Sequence, residues 1–417
     1  MNAVNQLKFL DWLQRRFRVS TGLLLFLFLL SLFVTGCGEK TAPVGDNPGS
    51  GDEGTAIVAD WPLFRGDPEM QGVAVEVIEP PLQLAWTYEP DAEEGKRLPP
   101  IEASPVIVGG VVFVGTQGGE FLAIHLESGE LKWKFDAEGP VTAPAAATEK
   151  AVFFGDQYGF VYALQAGTGE EIWRFETEGK IEGGVNLLTD ESGKTSVFIG
   201  SHDYFLYSFD SETGEVQWKY ETDNYIVATP SLVNSGGSQS VCFGGCDGLL
   251  HILPSNGQAI DETKTEVEIG SYVANSAAVR DGIAYVAHND GEIIAIDVSA
   301  REEVWRIVTN TKYLASPAVD DTSLYVSGPD KRLVAYDRVT GEEKWSFLAT
   351  RSLDSSPVIS GDVIWQGGMD GRLYAVNRAD GSELWQFELG AQIKASPAVS
   401  RGALVVCGSD GVVYAFR

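Results

Sequence analysis

The chain has 417 residues, of which 59 are acidic and 30 basic, a formal charge of −29. So acidic a surface repels nucleic-acid phosphates and anionic lipid head groups, and it excludes a nucleic-acid-binding role. Of the four cysteines, Cys37 stands apart near the front, and the odd remainder of Cys242, Cys246 and Cys407 excludes a disulfide framework.

In chain order, Arg15, Arg16 and Arg18 precede an apolar run from Leu23 to Val34 interrupted only by Ser31. Twelve residues fall short of the roughly twenty needed to span a bilayer and suit the core of a signal peptide. The run ends in Val34-Thr35-Gly36-Cys37, which resembles the lipobox cleaved by bacterial lipoprotein signal peptidase. That resemblance implies that residues 1–36 are removed and that Cys37 becomes a lipidated N-terminus. The other reading is an uncleaved anchor with an incidental cysteine. Residues 37–59 are rich in Gly, Pro, Asp, Thr and Ser and read as a flexible tether. A chain of that length holds a domain about 25 Å from its anchor. Without residues 1–36 the net charge is about −32, since they hold four basic side chains and one acidic one.

From residue 60 to 417 the chain repeats. A corner followed fifteen residues later by tryptophan joins Gly118 to Trp133, Tyr158 to Trp173, Asp203 to Trp218 and Asp290 to Trp305, then Asp330 to Trp345 and Asp370 to Trp385. Asp247-Gly248 keeps the frame, with Glu262 where the tryptophan would stand. Successive corners lie 40, 45, 44, 43, 40, 40 and 40 residues apart, a period that signals a repeat architecture. Residues 356–390 show one unit. Ser356-Pro357-Val358-Ile359 is a short apolar run, Gly361-Asp362 a turn, and Val363 to Gly368 a strand. Asp370-Gly371 marks a hairpin, Arg372 to Val376 a third strand, Asp380-Gly381 a turn and Glu383 to Phe387 a fourth strand. Four strands and three turns in about forty residues are the pattern of a propeller blade.

An eighth corner at Asp410-Gly411 opens only one strand before Arg417, and a spare tryptophan segment, Leu82 to Tyr88, lies before the first corner. The expectation is therefore an all-β, eight-bladed propeller of four-stranded antiparallel blades, its ring closed by the N-terminal strand at Trp86. The repeated residues are expected to be structural. The corner Asp caps its own turn, the Trp fills the space between blades, and the Pro after Ser opens an inner strand. The cysteines read as small buried strand residues. A Cys242–Cys246 bridge requires Gly244-Gly245 to bend the strand.

The run Ala335 to Trp345 resembles the tryptophan-docking repeat of quinoprotein propellers. Close variants are Ala163 to Trp173, Ser208 to Trp218 and Ala375 to Trp385. Asp60 to Asp67 resembles the lead-in found before many bacterial propellers of this class. Quinoprotein dehydrogenases of this fold bind pyrroloquinoline quinone and calcium, in a pocket that includes a disulfide between adjacent cysteines. No two cysteines are adjacent here, most repeats are close to minimal length, and no cofactor or metal is expected. His125, His202, His251 and His288 have no ligand spacing. With its lipobox, the chain is also similar to the propeller lipoproteins of the outer-membrane β-barrel assembly machinery. That resemblance implies a non-catalytic scaffold facing the periplasm from a bacterial membrane, the outer one in preference. Its implied partners are cell-envelope proteins, including barrel-assembly components. The alternatives are a quinone-dependent oxidoreductase and a small-molecule sensor.

Function is expected where the repeats differ. The loops entering the inner strands carry Glu102, Glu182, Tyr225, Tyr272, Asn275, Tyr313, Arg351, Asp354 and Lys394, a mixed rim for one mouth of the channel.

Overall fold

The computed structural model describes residues 59–90, 97–235, 238–258 and 265–417. The signal segment, Cys37, the tether as far as residue 58, and Glu262 lie outside the described residues.

The described strands form eight four-stranded antiparallel sheets. Seven are consecutive in the chain: blade 1 (106–136), blade 2 (146–176), blade 3 (186–221), blade 4 (231–268), blade 5 (278–308), blade 6 (318–348) and blade 7 (358–388). Blade 8 runs Ala398–Ser400, Ala403–Cys407 and Val413–Phe416, and its outer strand is Leu84–Tyr88, which pairs antiparallel with Val413–Phe416. The ring therefore closes through the segment bearing Trp86, as the repeat count required.

Burial follows the layering. Second strands such as Val111–Gly115 and Val363–Gly367 are buried throughout, because blades cover both faces. Outer strands such as Leu131–Asp136 alternate, as edge strands with one covered face do. The core is accordingly a series of layers between blades. One cluster joins Phe113 and Phe121 of blade 1 to Phe154 and Tyr162 of blade 2, with the Phe121 and Phe154 rings stacked 4.0 Å apart.

Each docking tryptophan reaches into the next blade. The indole N–H of Trp133 donates to the Ala166 carbonyl at 3.1 Å, that of Trp173 to Ser211 at 2.9 Å and that of Trp345 to Arg378 at 3.0 Å. Except at Trp385, which packs on Phe416 of blade 8, the ring then lies on a turn glycine of that blade. A Cβ on Gly169 would sit 2.6 Å from Trp133, and one on Gly214 would sit 2.7 Å from Trp173. Trp86 crosses the seam in the same way, donating to Leu126 in blade 1 at 2.9 Å. Blade 4 departs further: its outer strand starts three residues later than the repeat predicts, so Thr265, which accepts from the Ile252 N–H at 2.7 Å, stands at the tryptophan level in place of Glu262, and the partner turn has changed with it. In blade 5 the glycine is replaced by Arg301 at φ 56, whose guanidinium points back to the Ile252 carbonyl of blade 4 at 3.4 Å. Without a tryptophan to cover it, that position no longer requires glycine.

The corner aspartates do cap their turns. The Phe205 N–H donates to the Asp203 carboxylate at 3.1 Å and the Val412 N–H to Asp410 at 3.2 Å. Their second oxygen accepts the Tyr207 hydroxyl at 2.7 Å and the Tyr414 hydroxyl at 2.6 Å. In blade 4 the tyrosine is replaced by His251, which bonds Asp247 at 2.9 Å. The three described cysteines are free: Cys242 and Cys407 are buried and Cys246 is half-buried, so the Cys242–Cys246 bridge does not form.

Two features shape the channel. Where the inner strands begin, backbone N–H groups donate to a hydroxyl of the next blade. The chain runs Gly184 to Thr229, Thr229 to Ser276, Ser276 to Ser316, Ser316 to Ser356, Ser356 to Ser396 and Ser396 to Ser104, at 2.8–3.2 Å. At the far ends of the inner strands lies the lead-in. Trp61 bridges Ile107, the Pro62 carbonyl accepts from Ala147, and the Pro68 carbonyl accepts from Leu232 and from the Asn186 side chain. Glu69, Gln71 and Gly72 accept from Val279, Val319 and Ile359, and Ala59 accepts from the Ser400 hydroxyl. The segment meets the blades in ring order, from blade 8 through blade 1 to blade 7, and from between its contacts with blades 2 and 3 Arg65 reaches over to the Pro317 carbonyl of blade 6. Residues 59–74 are thus a strap across one end of the channel, and the other end is the open mouth.

Candidate binding surface at the open mouth

The loops entering the inner strands repeat a register. A buried apolar side chain, such as Ile181, Leu353 or Ile393, is followed by a more exposed residue, then by a small buried one and the hydroxyl position. Glu102, Glu182, Asp354 and Lys394 occupy the exposed position and lie at the mouth as expected. Tyr225, Tyr272 and Arg351 stand one or two residues before the buried apolar position and are exposed. Asn275 and Tyr313 are not at the surface: each is 4% exposed. Tyr313 falls on the buried apolar position. Asn275 falls on the small-residue position, where its side-chain amide donates to the Ala287 carbonyl at 2.7 Å. The repeat itself carried this information, since both align with Ile or Ala in other units.

The mouth residues gather into separate groups. Lys394 pairs with Glu102 at 2.5 Å, linking blades 8 and 1. Glu182 accepts from His202 at 2.8 Å and from Lys180 at 2.7 Å. The His202 ring stacks on Tyr225 at 4.5 Å, and Tyr204 lies 5.4 Å beyond. The hydrogen bond from His202, then that from Lys180, holds the Glu182 carboxyl down at about 2 against desolvation. Because this pKa is depressed, its stabilising effect is present above the ordinary carboxylate range and fades as pH falls toward 2. Replacing His202 with Gln is expected to raise the Glu182 midpoint toward 4 in an NMR titration; an unchanged midpoint would contradict the assigned cause.

Sequence reasoning named Tyr225 and Tyr272 at this rim and missed Tyr158 and Tyr204 beside them. Among the described residues, the exposed aromatic side chains are Tyr158 (66%), Tyr204 (39%), Tyr225 (42%) and Tyr272 (40%). All four lie on the mouth face, in corners or entry loops of blades 2 to 5, among Glu138, Glu178, Asp203 and Asp223. The signal was present at Tyr158 and Tyr204, where tyrosine occupies corner positions that in the other repeats carry Asp or Gly, with Lys331 the one other departure.

Chemistry is poorly supported in the same region. The Cys246 thiol is raised by burial and by Asp247 and Glu182, which keeps it protonated rather than nucleophilic. Among the described residues no three His, Cys, Asp or Glu side chains cluster as metal ligands. The strap places Arg65, 1% exposed, against the Pro317 carbonyl at 3.0 Å, so side chains fill the strapped end of the channel. The residues present do not fit a quinone with its calcium ion. On the strapped face, a cleft of about 260 Å³ is lined by Lys344, Trp345 and Arg378. Its Arg378 is already engaged by Asp320 and Asp362.

An eight-bladed ring held by docking tryptophans, with a strapped channel, defines the class as a propeller of the quinoprotein-like type. The chain belongs to the family described as outer membrane protein assembly factor BamB, which matches residues 81–154, 122–269, 256–364 and 347–417. Among solved structures it is similar to BamB from Moraxella catarrhalis, at 20% identity and TM-score 0.65, covering 81% of this chain and 98% of that one. It is also similar to the quinohemoprotein alcohol dehydrogenase of Comamonas testosteroni, at 17% identity and TM-score 0.69, covering 87% and 81%. The computationally designed protein Ika8 matches at 18% identity and TM-score 0.63, covering 78% and 97%. At these identities the structural likeness establishes the fold alone. Among curated proteins none matches significantly.

Proposed function

We propose that the chain is a non-catalytic scaffold that binds cell-envelope proteins through the mouth of its ring. It works at the periplasmic face of a bacterial membrane, in outer-membrane protein assembly. The observation that carries this reading is the tyrosine arc of blades 2 to 5. Tyrosine gives a rigid, amphipathic contact area, and its concentration on one face of an otherwise charged surface is the composition of a recognition patch. Membership of the assembly-factor family supports the choice of partners. The surrounding acids favour a partner segment that is basic or neutral where it meets the arc.

The test is co-purification from detergent-solubilised membranes. The parent chain is expected to recover barrel-assembly components, and the Tyr204→Glu/Tyr225→Glu double variant to recover at least tenfold less. Recovery of no such component by the parent would refute the proposal.

Anchoring is a separate part of the same reading. Cys37 carries the lipid and residues 38–58 form the tether, one residue shorter than the sequence suggests because Ala59 is hydrogen-bonded to Ser400 of blade 8, which leaves the folded ring free beside the membrane. Cys37→Ser is expected to move the protein from the membrane fraction to the soluble fraction and to abolish incorporation of labelled palmitate. Unchanged fractionation and labelling would refute the anchor. The fold shared with a quinohemoprotein dehydrogenase keeps one enzymatic alternative in view. A change in visible absorbance, or a raised Tm, on adding pyrroloquinoline quinone with calcium would favour it.

A further inference from the structure

The outer strands of the blades end at the mouth face, and their last residue follows a rule. It is acidic in blades 1, 2, 3, 4 and 7, at Asp136, Glu176, Glu221, Glu268 and Glu388. In blades 5 and 6 it is Val308 and Leu348. These two are the most exposed large apolar side chains among the described residues, at 73% and 71%. The loop between them carries Leu314, which is 50% exposed.

The same sector holds unneutralised cations. Lys312, Lys331 and Arg351 are exposed, and none makes an ion pair among the described residues, whereas most arginines of the ring are paired. Backbone contacts bring the sector together. The Ala349 N–H donates to the Lys331 carbonyl at 2.8 Å, Leu353 N–H donates to Gly328 at 3.1 Å, and Arg332 pairs with Leu348 across the strands. A Cβ on Gly328 would lie 2.6 Å from Thr311, the neighbour of Lys312. The nearby acid of the corner, Asp330, turns one oxygen to the Arg332 N–H. In a chain of charge −29, this edge therefore exchanges the strand-end acids of other blades for exposed aliphatic side chains, and beside Asp290, Asp330 and Asp354 it sets three cations that make no ion pair among the described residues.

We infer that the mouth-side edge of blades 5 and 6 docks a segment of another protein that presents carboxylates beside aliphatic side chains. The inference rests on the scaffold reading and assigns it a second contact, opposite in charge to the tyrosine arc. Charge complementarity selects the occupant. Carboxylates answer Lys312, Lys331 and Arg351, and aliphatic groups cover Val308, Leu314 and Leu348. An anionic bilayer is disfavoured because a flat surface meeting this edge also meets the acidic arc of the same face. A second copy is disfavoured by the repulsion of two strongly acidic chains.

The test uses the whole chain and fluorescein-labelled twelve-residue peptides alternating Glu with Leu, Lys with Leu, or Glu with Ser, read by fluorescence anisotropy. The Glu/Leu peptide is expected to bind at least tenfold more tightly than the other two. Lys331→Glu/Arg351→Glu and Val308→Glu/Leu348→Glu, all at exposed positions, are each expected to weaken it at least tenfold without shifting Tm. Equal binding of the Lys/Leu peptide, or indifference to both variants, overturns the inference. So does flotation with phosphatidylglycerol vesicles that these variants abolish, which would make the edge a membrane contact. Self-association in sedimentation that they abolish overturns it in favour of a dimer. Recovery of assembly components through the tyrosine arc would persist if this inference alone failed, and would be lost if the scaffold reading failed.

Discussion

Replacing Trp173 with alanine is expected to lower the unfolding free energy by about 3–5 kcal/mol, the range for deleting a buried aromatic side chain. The indole is 8% exposed, packs on Phe153 and Phe209 at ring distances of 6.0 and 5.8 Å, and donates to Ser211. Its removal empties a layer between blades 2 and 3 and leaves that carbonyl without its donor. Trp385→Ala is expected to cost less. Trp385 is only half-buried and packs on Trp365 and Phe416 rather than on a turn glycine. Urea unfolding of the two variants is the comparison. Equal losses would contradict the assignment of the docking turn as the source of the difference.

The second large effect concerns the strap. Gly72 has φ +72, and a Cβ there would lie 2.0 Å from the Arg65 guanidinium. Its N–H donates to the Arg65 carbonyl at 3.0 Å, and its own carbonyl accepts from Ile359 at 2.8 Å. A side chain at this position must expel a buried cation and strain the backbone together. Gly72→Val is therefore expected to cost about 3 kcal/mol or more, the sum of overpacking and a left-handed β-branched residue. Gly109→Ala is the control, at φ +58 with open space around it, and should lose only about 1 kcal/mol. If Gly72→Val unfolds like the control, the strap is not held in the channel as described.

Much of this architecture was legible because it repeats. The offset from corner to tryptophan gave the blade number, and the unpaired segments at Trp86 and Asp410 gave the closure, because a ring has no free edges to leave over. The strap was not legible. Asp60 to Asp67 resembles a lead-in, and nothing in its own composition says that it closes one end of the channel; the partners of the strap lie up to 341 residues away in sequence, as with the Ala59 carbonyl and the Ser400 hydroxyl. The mouth was partly legible. All nine rim residues lie in the entry loops, but the register within those loops puts Tyr313 on the buried apolar position and Asn275 on the small buried one, so loop membership alone does not bring a residue to the surface. Half of the aromatic arc, Tyr158 and Tyr204, escaped notice because these corner residues meet the entry-loop tyrosines Tyr225 and Tyr272 only when neighbouring blades are stacked.

The coupled change at Thr265 and Arg301 shows the same dependence. Each looks like a local irregularity in its own repeat. Together they mark one interblade contact in which tryptophan and glycine have both been replaced, and the guanidinium of Arg301 now reaches blade 4.

The scaffold account stands most directly on site-specific photo-crosslinking in intact cells. A photoreactive residue in place of Tyr225 is expected to capture barrel-assembly components, while one in place of Ile172, on the outer edge of blade 2, captures none. Capture from Ile172 but not from Tyr225, or from neither, would contradict the assignment of the mouth as the working face.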